Sequence, residues 1–498
     1  MRTKWNILVV VIFMYLPVSI DATILYVAAP LLSVQLQATH NQLLWILDIY
    51  PLFMAALLLP MGALGDRIGY RNLAFYGSSL FGLGSLAAAF ATSPSLLIAA
   101  RALLAMGASM ILPATLAALR HNFPEEKDRN LALGIWTAIG TGGALAGPLV
   151  GGALLTHFYW GSVFLINVPV VVIVLILIRR RVRDDKSCSQ PPVNLSQALL
   201  LMSAILMFIY SAKSLIKPED QGVLPLYLLL VSLVLLTGFI ALQVFSAEPL
   251  LDRGLITQRN IIAGVILAMT SMITLVGFEL VISQELQFVH RFTPLEAGMY
   301  MLPLMLAASV AGPLAAPLIT RFGIRPVAIT GLAGSAMSLY ALSGIDFVSQ
   351  PHKVWAWMVL LGVGDTLALM ASSSAIMTAA PASKAASAGS IEGMSYELGT
   401  GLGITLFGSM LAAVYSTNIH LPEGLPDAVS SSAASSFSEA VEASRLLDNS
   451  SREQLLSAAS SAFMHSHSIT LEAASIMLGL LMLLTFVIFK PESALRHD

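Results

Sequence analysis

Leu64-Gly65-Asp66-Arg67-Ile68-Gly69-Tyr70-Arg71 returns 254 residues later as Leu318-Ile319-Thr320-Arg321-Phe322-Gly323-Ile324-Arg325. Both copies carry Arg-x-Gly-x-Arg, and each sits between two long apolar runs. Short matches arise often by chance, but equivalent positions in a series of apolar runs make duplication the better reading. Repeated halves around a site at the membrane midplane are a construction of transporters.

Composition agrees. The 498 residues are 57% hydrophobic and only 11% charged, with a mean hydropathy of +0.81. Such a chain has too little polar surface to cover a water-soluble globule, so an all-α polytopic protein in a lipid bilayer is expected. The net charge of −2 and the lack of a basic block interleaved with aromatics leave no place for nucleic acid. The single cysteine, Cys188, offers neither a disulfide framework nor a thiolate metal site. His465 and His467 read as loop residues with no further ligand nearby, so no metal and no cofactor are expected. The first apolar run continues past Asp21 to about Leu32, and Pro30 follows the small residues at 27–29. It reads as a retained span, not a cleaved leader.

Windows of about 20 apolar residues mark spans. Fourteen are centred near residues 20, 53, 82, 108, 143, 170, 204, 233, 272, 308, 335, 366, 403 and 479. An even number puts both termini on one side. The loops of that side hold 19 lysines and arginines against 6 on the other, where Lys213 and Lys217 are counted. The positive-inside rule then makes both termini cytoplasmic. Residues 1–180 form one six-helix bundle in this reading. Residues 181–250 hold a linker and two inserted spans, and 251–498 hold the second bundle with an external loop at 418–468. The polar stretch 448–451 divides that loop into two short amphipathic helices.

Charges stranded in these runs are the candidate functional groups. A charge at the bilayer centre costs roughly 3 kcal/mol on insertion scales, so its presence calls for a function. Asp21 and Asp48 lie in the first two runs, with Asp365, Glu392 and Glu397 in later ones. Glu279 and Glu285 approach the edge of span 9, where water could solvate them. Arg101, in span 4, reads as the one clearly embedded base. Trp45 and Asp48, three apart, share a helical face, as do Glu392 and Tyr396, four apart. Each couples an aromatic ring to an anion, the pairing that attracts an organic cation. Glu397 lies roughly 140° around the helix from Glu392 at about 100° per residue, so these two do not form one clamp. Gly362-Val363-Gly364-Asp365 also resembles a motif of intramembrane aspartyl proteases. The second Tyr-Asp that such enzymes require does not occur in the chain.

Two glycine motifs suggest moving parts. Gly62, Gly65 and Gly69 with Asp66, Arg67 and Arg71 make a tight loop, in which Asp66 could latch onto a helix N-terminus or a base. Gly147-Pro148-x-x-Gly151-Gly152 in span 5 permits close helix contact, with a bend at Pro148. These motifs resemble the major facilitator superfamily: the loop its signature, the span-5 run the motif typical of its exporters, and Leu97 to Arg101 its span-4 motif. The stretches Asp21–Pro30, Trp45–Tyr50 and Trp160–Pro169, with fourteen spans, look like its drug/proton antiporters for quaternary ammonium compounds and methyl viologen. Ala105 and Met106 depart from the span-4 pattern, and Thr320 stands where the second repeat would carry aspartate.

The resemblance implies proton handling by Asp21 and Arg101. It also implies cation recognition by acids in spans 2, 10 and 13, although span 10 has none in its core. Asp48, Trp45, Tyr50, Glu392 and Tyr396 are the expected substrate residues; Glu279, Asp365 and Glu397 are further candidates. A carboxylate in a low-dielectric cavity disfavours its ionised form, so it holds either a proton or a cation, and their competition is exchange. The expected protein is no enzyme but a monomeric antiporter whose partners are protons, small hydrophobic cations and the bilayer. An exporter of anionic or neutral solutes on the same fold is the alternative, and a polytopic membrane enzyme the reading of another class.

Overall fold

The computed structural model describes residues 2–182, 195–216, 223–246, 250, 253–381 and 384–488, and the described residues are helical almost throughout. Cys188, most of the linker after Val182, and Lys217 lie outside them. Long helices follow because apolar side chains run unbroken and a backbone in lipid must satisfy its own polar groups. The first half comprises α1 (Arg2–Gln35), α2 (His40–Ile68), α3 (Tyr70–Ala89), α4 (Pro94–Asn122), α5 (Glu126–His157), a short α6 (Ser162–Leu165) and α7 (Asn167–Arg181). The two spans expected as an inserted pair are α8 (Leu195–Ile216) and α9 (Val223–Phe245). The second half begins with α10 (Arg253–Ile256) and α11 (Arg259–Gln284), which passes into a π-helical turn at Glu285–Val289. After it come α12 (Pro294–Tyr300), α13 (Leu302–Phe322), α14 (Ile324–Ser343), α15 (Pro351–Ala379) and α16 (Ala385–Asn418). Two short helices, α17 (Asp427–Ser435) and α18 (Phe437–Ser444), precede α19 (Asn449–Ile488). Among the described residues thirteen helices are long and apolar enough to cross a bilayer. The more polar, Gly- and Ser-rich α3, 20 residues long and expected as the third of fourteen spans, is not among them.

The duplication read from the two loops is written into the backbone. Gly69 and Gly323 end α2 and α13 with φ of 84° and 87°, a conformation that only glycine adopts freely. Their N–H groups donate to Gly65 O and Ile319 O, the same partner in each copy. The expected latch differs between copies: Thr320 turns its hydroxyl back onto Ala316 O of its own helix, while the side chain of Asp66 lies outside the described residues.

Two apolar cores form, one from α1–α7 and one from α11–α19. A smaller one joins α2, α8, α9 and α16, so the inserted pair leans on both halves. The halves meet along α2 against α16 and along α5 against α12. We call the end that carries the termini the basic end, and the other, with α17 and α18, the hairpin end. Hydrogen bonds joining the halves gather at the hairpin end. Ser283 and Gln287 donate to the carbonyls of Tyr26 and Val27 at 2.7 and 3.0 Å. His40 N donates to Glu439 at 3.0 Å, and the His40 ring meets Gly408 O at 2.9 Å.

The expected external loop is corrected here. Its second amphipathic segment is not a separate helix: the chain from Asn449 runs unbroken into the last span as one 40-residue helix. Leu455 and Phe463 are buried along it, and apolar burial on that face carries the helix through the polar start.

The span-5 glycines divide between two neighbours. A Cβ on Gly147 would overlap Thr23 Oγ1 and stand 3.0 Å from the backbone of Ile20 and Ile24, so this face seals α5 onto α1. A Cβ on Gly152 would stand 2.5 Å from Leu295 Cα, and Gly298 in turn lets α12 approach Pro148, across the boundary between halves. Gly142 has open space beside it. Gly147→Val is therefore expected to cost about 1–3 kcal/mol by overpacking and to lower the thermal midpoint in detergent, whereas Gly142→Ala leaves it unchanged. Equal midpoints for the two would contradict the packing described.

Candidate functional site

Asp21 and Arg101 meet in the first half. Leu97 and Arg101, one turn apart on α4, both face inward, and Leu97 is fully buried. Arg101 Nη1 donates to Asp21 Oδ2 at 2.7 Å, and Nε donates to Ile46 O at 3.2 Å. Pro51 supplies no N–H to the turn of α2 beyond Ile46, which loosens the backbone there. The guanidinium also lies over the Tyr50 ring, 4.6 Å from its centroid. Tyr50 thus belongs with the Asp21–Arg101 pair rather than with Asp48. A buried ion pair adds little net stability, but losing one partner strands the other.

Asp48 is fully buried and already has a cation. Lys213 Nζ, from α8, lies 2.5 Å from Asp48 Oδ2 and 4.2 Å above the Trp45 ring. Thr405 of α16 donates to the same oxygen at 2.9 Å. Small residues bring α16 this close: Gly401 and Gly408 pack on Leu52 and Leu44, one turn either side of the Asp48–Thr405 contact. The reading of Arg101 as the one embedded base is corrected. Lys213, counted with the loops, is 3% exposed within α8, because the apolar run continues past it to Ile216. Its position inside a run of spanning length was the signal. Thr405 left none, since a threonine in a membrane helix most often bonds its own backbone.

The other acids are distributed differently. Glu392 accepts a 2.7 Å hydrogen bond from Tyr396 Oη, so the predicted i, i+4 pair forms. Glu397, half-buried on the same helix, feels Tyr15, Tyr26 and Tyr50 of the first half electrostatically, and Glu279 couples to Tyr26. Asp365 is buried, couples to Glu279, and has no hydrogen-bond partner for Oδ2 among the described residues. The described ion pairs include none to Glu279, Asp365, Glu392 or Glu397. Tyr15 and Tyr26 were missed by the sequence reading, which sought aromatics only beside acids on the same helix.

The expectation that Glu279 and Glu285 are solvated is also corrected. Glu279 is 8% exposed and Glu285 fully buried. Glu285 sits in the π-helical turn and pairs with His467 of α19 and, at 3.3 Å, with His290. His467 is therefore a helical core residue and not a loop residue. Among the described residues no cluster of three or more His, Cys, Asp or Glu is arranged to hold a metal ion.

Two half-bundles closed at one end around buried, unequally compensated carboxylates are the framework of an alternating-access transporter. A model of the Major Facilitator Superfamily matches residues 11–283 and 261–420. The chain belongs to the Major Facilitator Superfamily. It is 52% identical over 481 residues, 97% of each chain, to the methyl viologen resistance protein SmvA of Salmonella typhimurium. It is 33% identical over 461 residues to the multidrug efflux pump LfrA of Mycolicibacterium smegmatis, covering 92% of this chain and 91% of that one. A bacterial homologue of the human lysosomal transporter Spinster, solved inward-facing and occupied, shares the fold: TM-score 0.68 at 18% identity, over 98% of this chain and 97% of the other. The protein is a multi-pass membrane transporter and not an enzyme, and its resemblance to this superfamily and to methyl viologen pumps is borne out.

The Asp21–Arg101 geometry makes a stability prediction. Arg101→Ala should destabilise the purified protein by about 3–5 kcal/mol, because Asp21 is left buried without a counter-charge. Adding Asp21→Asn to Arg101→Ala should recover much of the loss. Additive losses in a denaturation cycle would contradict an ion pair here.

Proposed function

We propose that the protein is a proton-coupled antiporter that exports lipophilic mono- and dications: quaternary ammonium antiseptics, dyes and methyl viologen. The observation that carries this reading is the set of embedded acids, Glu279, Asp365, Glu392 and Glu397, for which the described ion pairs include no base, with Glu279 and Glu397 in electrostatic range of tyrosines of the first half. Anions and aromatic faces recognise a weakly hydrated cation, with cation–π contact contributing about 0.5–2 kcal/mol. A bilayer-embedded carboxylate holds such a cation or a proton, so loading one releases the other.

Roles follow from charge. Asp21 with Arg101, fixed by Ile46 O and Tyr50, is assigned to the proton path, since a guanidinium repels a cationic drug. Asp48 and Trp45 receive the cation at the α2–α16 seam, and Glu392 with Tyr396 on α16 is a second grip. The structure shifts weight onto Glu397 and Glu279. For a dication, two acids balance the charge. The glycine loop and the span-5 run are assigned to rocking of the halves. By charge asymmetry the basic end and both termini face the cytoplasm of a bacterial cell. The hairpin end is then external, and the state described is closed to the outside. Resistance and efflux relatives support the export direction.

Everted vesicles with an acidified lumen test the reading. Ethidium or methyl viologen should release luminal protons, and Glu397→Gln should lower the initial rate at least tenfold at unchanged expression. Proton release driven by anions and never by cations would overturn the substrate class. Unchanged rates in Glu397→Gln would remove that residue from the site.

A further inference from the structure

Lys213 has a place that the export cycle above does not use. We propose that it is a tethered competitor for the exported cation. In the state described, its ammonium occupies the position between Asp48 and Trp45 that the ammonium or pyridinium group of a substrate takes. The proposal rests on the cation-export reading.

Three observations converge. The recognition set is complete: a carboxylate oxygen at 2.5 Å and an indole face at 4.2 Å surround the ammonium, the contacts that select an organic cation. The lysine comes from neither six-helix half but from α8 of the inserted pair. A lysine in a membrane helix ordinarily snorkels to water; this one is buried instead. The site also spans a boundary that moves, because Asp48 belongs to α2 and Thr405, bonded to the same oxygen, to α16. Asp48 Oδ1 is buried and has no hydrogen bond among the described residues, so the carboxylate's second oxygen is still without a donor.

The consequence follows from charge counting. Asp48 and Lys213 together are neutral, so a second cation entering beside them adds an uncompensated positive charge in a low-dielectric seam. A substrate must displace the ammonium to bind Asp48. The ammonium's return then expels the substrate once the seam opens. The inserted pair thereby becomes part of the transport cycle, and Lys213 sets how tightly Asp48 may hold its load.

The test uses the full-length protein and tetraphenylphosphonium. Lys213→Gln and Lys213→Met should bind it at least fivefold more tightly by equilibrium dialysis while exporting it more slowly. Lys213→Arg should stay within twofold of wild type. In an Asp48→Asn background, Lys213→Gln should give no gain. A structural role predicts the opposite sign, weaker binding. A readout without any variant is the reaction of Lys213 with an amine-selective reagent, followed by peptide mass spectrometry. Saturating tetraphenylphosphonium should accelerate labelling several-fold. Slower or unchanged labelling, or a gain that persists in Asp48→Asn, overturns the competitor. Failure of wild-type vesicles to export any organic cation overturns instead the export reading on which it rests.

Discussion

Charge compensation inside a low-dielectric body is the constraint on which the rest of this structure depends. Each half must keep an ionisable group away from lipid without freezing it, because an isolated buried charge is costly and a perfectly paired one is inert. The chain solves this unequally. Asp21 and Asp48 have bases of their own, at 2.7 and 2.5 Å. The acids across the boundary, on α11, α15 and α16, show no such partner among the described ion pairs. Where a base sits, the charge of the carboxylate is already compensated. Where none sits, a proton or a cargo cation is the natural counter-charge.

Packing places these groups where motion can reach them. The α2–α16 seam is held by alternating small and large residues, Gly401 on Leu52 and Gly408 on Leu44, with the Asp48–Thr405 bond between them. The α5–α12 seam is closed by Gly152 and Gly298. Both are shallow contacts of backbone and small side chains. Such contacts can part and reform more readily than interdigitated cores, while the two large cores keep each half rigid. The buried charged groups and the contacts between the halves thus lie on the same helices.

Much of this was legible in the sequence, for identifiable reasons. Span count, the duplication and its paired glycines follow from hydropathy and a local backbone requirement, both properties of single segments. The Asp21–Arg101 neighbourhood was reached through resemblance rather than spacing, as the two lie 80 residues apart. What the sequence hid are contacts across helices. Lys213 looked like a loop residue because charge alone was allowed to end a span. Thr405 and the tyrosines Tyr15 and Tyr26 gain meaning only from the helix opposite. His467 and Glu285 were separated on paper by most of the second half and are joined by the helical continuation from Asn449 into α19.

The account turns on exchange of protons for cations at embedded carboxylates. Its most direct measurement is calorimetric titration of the purified protein with tetraphenylphosphonium in buffers of different ionisation enthalpy, which counts protons released on binding. The account predicts net release that falls when Glu397 is replaced by glutamine. Tight binding with no proton released between pH 6 and 8 would contradict it.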